Sequence, residues 1–179
     1  MTPTHMTGAF RVIFFAVLWT AVLGVALPML DAALYASRLV SMPVPVKVGM
    51  PVSGIKPGVI RDTWHASRPG GRRHEGIDIF SRRGTPVQAT TEGILIRRGQ
   101  NRLGGNVVWV LGPGGQRHYY AHLDGFALLS SGERIRRGTV LGYVGNTGNA
   151  IDTPPHLHYG IYTRTGAINP FPLLISIPD

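Results

Sequence analysis

The sequence predicts a mostly β domain preceded by one membrane-spanning helix, and three observations carry that prediction. A single uncharged, mostly apolar run occupies residues 12–30. From Gly58 onward no long stretch repeats its apolar residues at the helical period of 3.6. Short apolar or alternating runs follow one another instead, separated by glycine-rich turns.

The apolar run is interrupted only by Thr20, Gly24 and Pro28, and as a helix it covers a hydrocarbon core of about 30 Å. His5 and Arg11 precede it and Asp31 follows it, so the positive-inside rule puts the short N-terminus in the cytoplasm and the rest outside. A cleaved signal peptide is the competing reading. Against it, the run exceeds the usual signal-peptide core, and Leu34-Tyr35-Ala36 is a poor small-x-small cleavage site. Residues 1–37 are therefore expected to be a cytoplasmic N-terminus and a retained anchor. The chain has no cysteine, so the outer part must rely on its core or on a metal rather than on disulfides.

Residues 38–57 contain Pro43, Pro45 and Pro51 among valines and glycines, which favours extended chain over helix. This reads as a stalk leading into a domain at 58–179. Strands are expected at 76–80, 87–90, 93–97, 107–111, 116–122, 140–144 and 157–163. The clearest hairpin joins the fourth to the fifth through Gly112-Pro113-Gly114-Gly115, where glycine supplies positive φ. Many short strands with polar turns imply a sandwich or a barrel-like sheet system.

Eighteen Lys and Arg against nine Asp and Glu give a net charge of +9, and every cation except Lys47 and Lys56 is arginine. Such a field attracts nucleic acid, anionic lipid or an acidic wall polymer alike. The extracytoplasmic placement and the lack of an aromatic stacking platform exclude nucleic acid. A lipoyl or biotinyl carrier is excluded too, because both lysines precede the domain core and no hairpin lysine is left for attachment.

The chemistry-bearing residues cluster in three segments. In HEGID, His74 and Asp78 are four apart, which on extended chain puts imidazole and carboxylate on one face. In PHLHYG, His156 and His158 share a face while Leu157 points to a core. Histidine and carboxylate ligands from two strands suit Zn²⁺ with a position left for water, as in a catalytic site; a structural zinc would more often use cysteine. Glu75 invites comparison with helical HExxH proteases, but the second histidine is missing, so Glu75 is expected at the surface or behind the ligands. With no carboxylate placed as base, histidine must handle the proton. In HYYAHL, alternation puts His118, Tyr120 and His122 on one face.

Together HEGIDI, YAHL, GYVGNTG and PHLH, with GRRHEGIDIF, RGTPV, GGNVVWVLG and INPFPLL, resemble the lysostaphin and LytM-type zinc metallopeptidases over about residues 44–173. The resemblance implies a LytM-type antiparallel β-sheet sandwich with an open substrate groove, in which His74, Asp78 and His158 bind zinc and His122 and His156 are the catalytic pair. It further implies hydrolysis of peptide bonds in peptidoglycan cross-links, with the D,D-bond favoured over glycyl-glycine. The chain would then be a single-pass protein of the inner membrane, its domain facing the periplasm or cell wall and its substrate the peptidoglycan stem peptides. No cell-division or wall-synthesis partner is legible. Where relatives commonly carry a small residue this chain has His65, expected to be exposed, and Gly160 stands where many have an acid. His118 is expected to face solvent. Arg72 and Arg73, beside the first ligand, are candidates to pair with stem-peptide carboxylates, whereas Arg136 and Arg137 precede a turn. A non-catalytic domain of the same fold that activates a murein amidase is the alternative; every ligand expected of an enzyme is present.

Overall fold

The computed structural model describes residues 8–175, and the chain divides into two compact units that meet between Arg38 and Leu39. The first is dominated by helix α1 (Gly8–Ser41). Its stretch from Val12 to Ser41 is long and apolar enough to cross a membrane, and side chains such as Phe14, Trp19 and Leu27 are exposed. Arg11 lies within the helix, while His5, the other residue used for orientation, lies outside the described residues.

The second unit is an antiparallel β structure. Its strands are β1 (Ile77–Phe80), β2 (Pro86–Gln88), β3 (Gly93–Asn101), β4 (Gly105–Leu111), β5 (Arg117–Phe126), β6 (Arg134–Ile135), β7 (Val140–Val144), β8 (His156–Thr163) and β9 (Gly166–Ile168), followed by the short helix α2 (Phe171–Ile175). All seven expected strands form. The two not anticipated, β6 and β9, span two and three residues, too few to show a period. The main sheet runs β1-β8-β5-β4-β3-β6, with β9 on β8 and the β2–β7 pair joined to it through β5.

Alternation on β8 shows why the sheet forms. Leu157, Tyr159 and Ile161 are fully buried and belong to one core cluster with Ile77, Ile79, Val108, Val110 and Tyr120; burying each such side chain contributes about 1.5–3 kcal/mol. The intervening residues of β8 face the opposite side, where the histidines lie.

The stretch expected as a stalk is a free linker only in part. Val48 and Val52 are buried in the main core; Gly49 N–H donates to Thr90 (2.8 Å), Gln88 N–H donates to Pro51 (2.7 Å), and Val52 bridges Val87. The prolines keep this segment extended as expected, but alternate valines give it an apolar face that the domain buries.

Candidate active site

Register does most of the work of assembly. Asp78 on β1 pairs directly with His158 on β8, which pairs on its other side with Ala121 of β5; side chains directly opposite on antiparallel strands stand about 4.5–5.5 Å apart at Cβ. His74 precedes β1 and reaches the same point through a bend at Gly76. A Cβ on Gly76 would lie 2.7 Å from the His158 ring and 2.6 Å from the Tyr159 carbonyl, so the glycine of HEGID is what lets the segment lie against β8.

Three ligand atoms converge here. His74 Nε2 is 2.8 Å from His158 Nδ1, and Asp78 Oδ1 is 3.1 Å from the first and 3.2 Å from the second. Two imidazole lone pairs and a carboxylate at this spacing repel one another unless a proton or a cation lies between them, and the three residues form a group that can hold a metal ion. The surroundings fix each ligand. His74 Nδ1–H donates to the Thr63 carbonyl (2.7 Å), leaving Nε2 as the free lone pair, and Asp78 N–H donates to Thr63 Oγ1 (3.0 Å). Arg68 forms an ion pair with Asp78 through the second carboxylate oxygen, Oδ2. Burial opposes ionisation of Asp78, but hydrogen bonds and charge from His158 and His74 outweigh it and hold the carboxyl well below the usual range. Burial pushes His158 down, against the pull of Asp78. An ionised carboxylate and neutral imidazoles are the forms that bind metal.

His122 and His156 flank this group. His156 Nδ1–H donates to the Pro154 carbonyl (2.9 Å), and its Nε2 is 3.9 Å from Asp78 Oδ1. His122 Nδ1–H donates to the Thr147 carbonyl (2.8 Å), and the two rings lie 5.0 Å apart. Burial lowers the His122 pKa to about 4, although its bond to Thr147 works the other way, so His122 is neutral at pH 7. All five residues line a groove of about 940 Å³.

The route by which His122 reaches the groove corrects an expectation. His118 and Tyr120 do share a face, but it is the core face: both are fully buried, with Nδ1 of His118 2.8 Å from the Tyr159 hydroxyl and 3.2 Å from Thr90 Oγ1. His118 therefore does not face solvent. Tyr119 and Ala121 line the groove, so strict alternation would send His122 into the core. Instead the β4–β5 register shifts, with Val108 opposite Tyr120 but Asn106 opposite Leu123. His122 takes a φ of 63° at this bulge, which swings its ring to the groove side.

The remaining expectations sort quickly. His65 is exposed, stacked on Trp64, and does not line the groove. Glu75 is exposed at the groove's edge rather than among the ligand atoms. Thr63, Arg68 and Thr147 were missed; each supports a site residue from a loop, and only proximity to the HEGID and GNTG motifs could have drawn attention to them.

The model of peptidase family M23 matches residues 72–170. Among curated proteins, the chain is 41% identical over 126 residues to an L-Ala–D-Glu endopeptidase of Bacillus subtilis, covering 64% of this chain and 39% of that protein. It is 35% identical over 108 residues to the DD-carboxypeptidase/endopeptidase Mpg of Neisseria meningitidis, covering 60% of this chain and 24% of that one. The chain thus spans well under half the length of these relatives. Among solved structures, the catalytic domain of lysostaphin from Staphylococcus simulans aligns with a TM-score of 0.60 at 28% identity, over 67% of this chain and 96% of that domain.

Proposed function

This chain belongs to peptidase family M23, and from that premise we propose that it is a zinc-dependent endopeptidase cutting peptide bonds of peptidoglycan. The observation that carries the reading is the convergence of His74 Nε2, Asp78 Oδ1 and His158 Nδ1 within 2.8–3.2 Å of one another. Tetrahedral zinc with bonds of about 2.0–2.1 Å separates its ligand atoms by about 3.3 Å, so these three fit it with small adjustment. When bound, zinc supplies an acidified water and polarises the scissile carbonyl.

The protein's own residues would do the rest. Arg68 and Thr63 hold Asp78 and His74 in ligating orientation. His122, kept neutral by burial, presents Nε2 as a proton acceptor for the attacking water. His156, its Nδ1–H fixed on Pro154, points Nε2 at the same space and, when protonated, stabilises the oxyanion and returns a proton to the leaving amine. The open groove of about 940 Å³ speaks for an enzyme over a non-catalytic amidase activator.

Residues 1–37 would serve as the membrane anchor and keep the domain on the wall side, near its polymeric substrate. Two bonds come into question: the cross-link expected from the sequence, and the L-Ala–D-Glu bond named for the Bacillus relative. The deciding experiment is digestion of purified muropeptides by the full chain in detergent with zinc, with masses of the products. Loss of cross-linked dimers identifies the first bond and release of a shortened stem the second, while His158→Ala should bind little zinc and cut neither. Release of whole stem peptides from the glycan would mean amidase action and would overturn the proposal.

A further inference from the structure

Four arginines, Arg68, Arg72, Arg73 and Arg102, line the groove against two carboxylates, Asp78 and Glu75. Both carboxylates are engaged within the protein. Asp78 is paired with Arg68 and with the two ligand histidines. Glu75 is hydrogen-bonded to the Tyr162 hydroxyl, which it helps burial to push up to about 12. The other three guanidinium groups have no anionic partner among the described residues. Arg72 Nε donates to the Pro69 carbonyl at 3.3 Å and Arg73 to the His65 carbonyl at 3.2 Å, both neutral main-chain acceptors. Arg102 is exposed on the turn between β3 and β4, two residues before Gly104, whose carbonyl accepts from His122 N–H. Arginine thus stands on the His74 side of the groove and on the His122 side.

We infer that this unmatched positive charge selects peptides with a free carboxylate next to the scissile bond, with Arg72 and Arg73 as the specificity-determining pair. The inference rests on the endopeptidase reading above. Consecutive Cα atoms are about 3.8 Å apart, so both arginines start within two residues of a metal ligand. Their side chains are long enough to reach a group bound beside it. A planar guanidinium engages a carboxylate through two parallel hydrogen bonds, a geometry that a carboxamide cannot match and a lysine would not impose. Because Arg68 already balances Asp78, a dication in the site would add to the positive field rather than quench it.

Substrate chemistry narrows the bond. A stem-peptide bond to γ-linked D-Glu and a cross-link to diaminopimelate both carry a carboxyl on the carbon that bears the scissile nitrogen. A glycyl-glycine bond has none at that place. The shared requirement is therefore an acidic residue immediately after the cleaved carbonyl.

The test uses the zinc-loaded full chain in detergent and four substrates. Two are stem peptides with the D-Glu α-carboxyl free or amidated; two are cross-linked dimers with the adjacent diaminopimelate carboxyl free or amidated. We expect kcat/KM to favour the free acid about tenfold in at least one pair, mainly through KM, and the pair that responds identifies the source of the carboxylate. In the Arg72→Gln/Arg73→Gln variant, checked for zinc content and thermal unfolding, the acid-to-amide ratio should fall close to one. Equal cleavage of acid and amide by the wild type, or a preference that survives in the double variant, overturns the inference and leaves the endopeptidase reading intact. Cleavage of none of the four by zinc-loaded protein defeats that reading, and this inference with it.

Discussion

His118 and His122 stand four residues apart on one strand, both are largely buried, and burial brings both to a pKa of about 4. Their surroundings nevertheless differ in kind. His118 is enclosed by Tyr159, Thr90 and Tyr120, with its Nε2 lacking a protein partner. His122 has Nδ1 bound to Thr147 and its ring against those of His156 and His158 in the groove. The difference is made between them, at the bulge where β5 leaves its pairing with β4 and β8 and continues onto β7. A left-handed φ at a residue other than glycine costs about 1–3 kcal/mol, and histidine tolerates it better than most. The strand thus accepts local strain at the one position where a core-facing histidine becomes a groove-facing one.

The largest effect should separate the two histidines by function. His122→Ala is expected to retain zinc and lower kcat on muropeptides by about 10²–10⁴-fold, the usual worth of a positioned acid–base group. His118→Leu should keep its catalytic rate and lose stability by about 1–3 kcal/mol, from hydroxyls left unpaired in the core. Turnover, zinc content and urea unfolding of the two variants make the comparison. If His118→Leu, still folded and zinc-loaded, lost turnover as heavily as His122→Ala, the division between core and groove would be broken.

Much of this was legible in sequence where chemistry follows alternation. His156, Leu157 and His158 obey a period of two, and the structure places them accordingly. His74 and Asp78 meet, but by the bend at Gly76 rather than by a shared strand face. Alternation failed at His122, because a bulge depends on pairing with β4, a partner that local periodicity does not contain. His118 was misplaced for a related reason: its polarity argues for solvent, and only the hydroxyls of Tyr159 and Thr90, 41 and 28 positions away, make a core position acceptable. Thr63, Arg68 and Thr147 act through contacts between distant loops, which spacing along the chain cannot encode.

The same comparison predicts a pH dependence of stability. The folded-state pKa of His118 is about 4, lowered by burial from 6.5. A depressed value means that the unfolded chain takes up a proton where the folded one does not. The contribution of His118 is therefore complete above about pH 6.5 and is lost as pH falls towards 4, amounting to about 3 kcal/mol at 1.36 kcal/mol per unit. Urea unfolding of the zinc-loaded protein between pH 7 and pH 4 should show this loss, and His118→Leu should show less of it. An identical slope in both proteins would mean that His118 is not the group responsible.

The smallest effect tests how the groove histidine is held. Thr147 accepts the His122 Nδ1–H bond with its carbonyl, while its hydroxyl accepts from Asn106 N–H (2.9 Å) and donates to the Leu123 carbonyl (2.9 Å). The hydroxyl thereby ties the GNTG loop to both strands at the bulge. Close contact between Gly105 and Gly148 locks the same junction, since a Cβ on either would collide with the other's backbone. Thr147→Val keeps the carbonyl and removes both hydroxyl bonds, so it should cost about 1–2 kcal/mol of stability. If loop position governs His122, kcat should also fall, by about tenfold for a misplaced catalytic group, with KM little changed. Thr147→Ser, which keeps the hydroxyl, should restore kcat. A stability loss with unaltered kcat would make Thr147 a purely structural tie, and the orientation of His122 would then rest on the bulge itself.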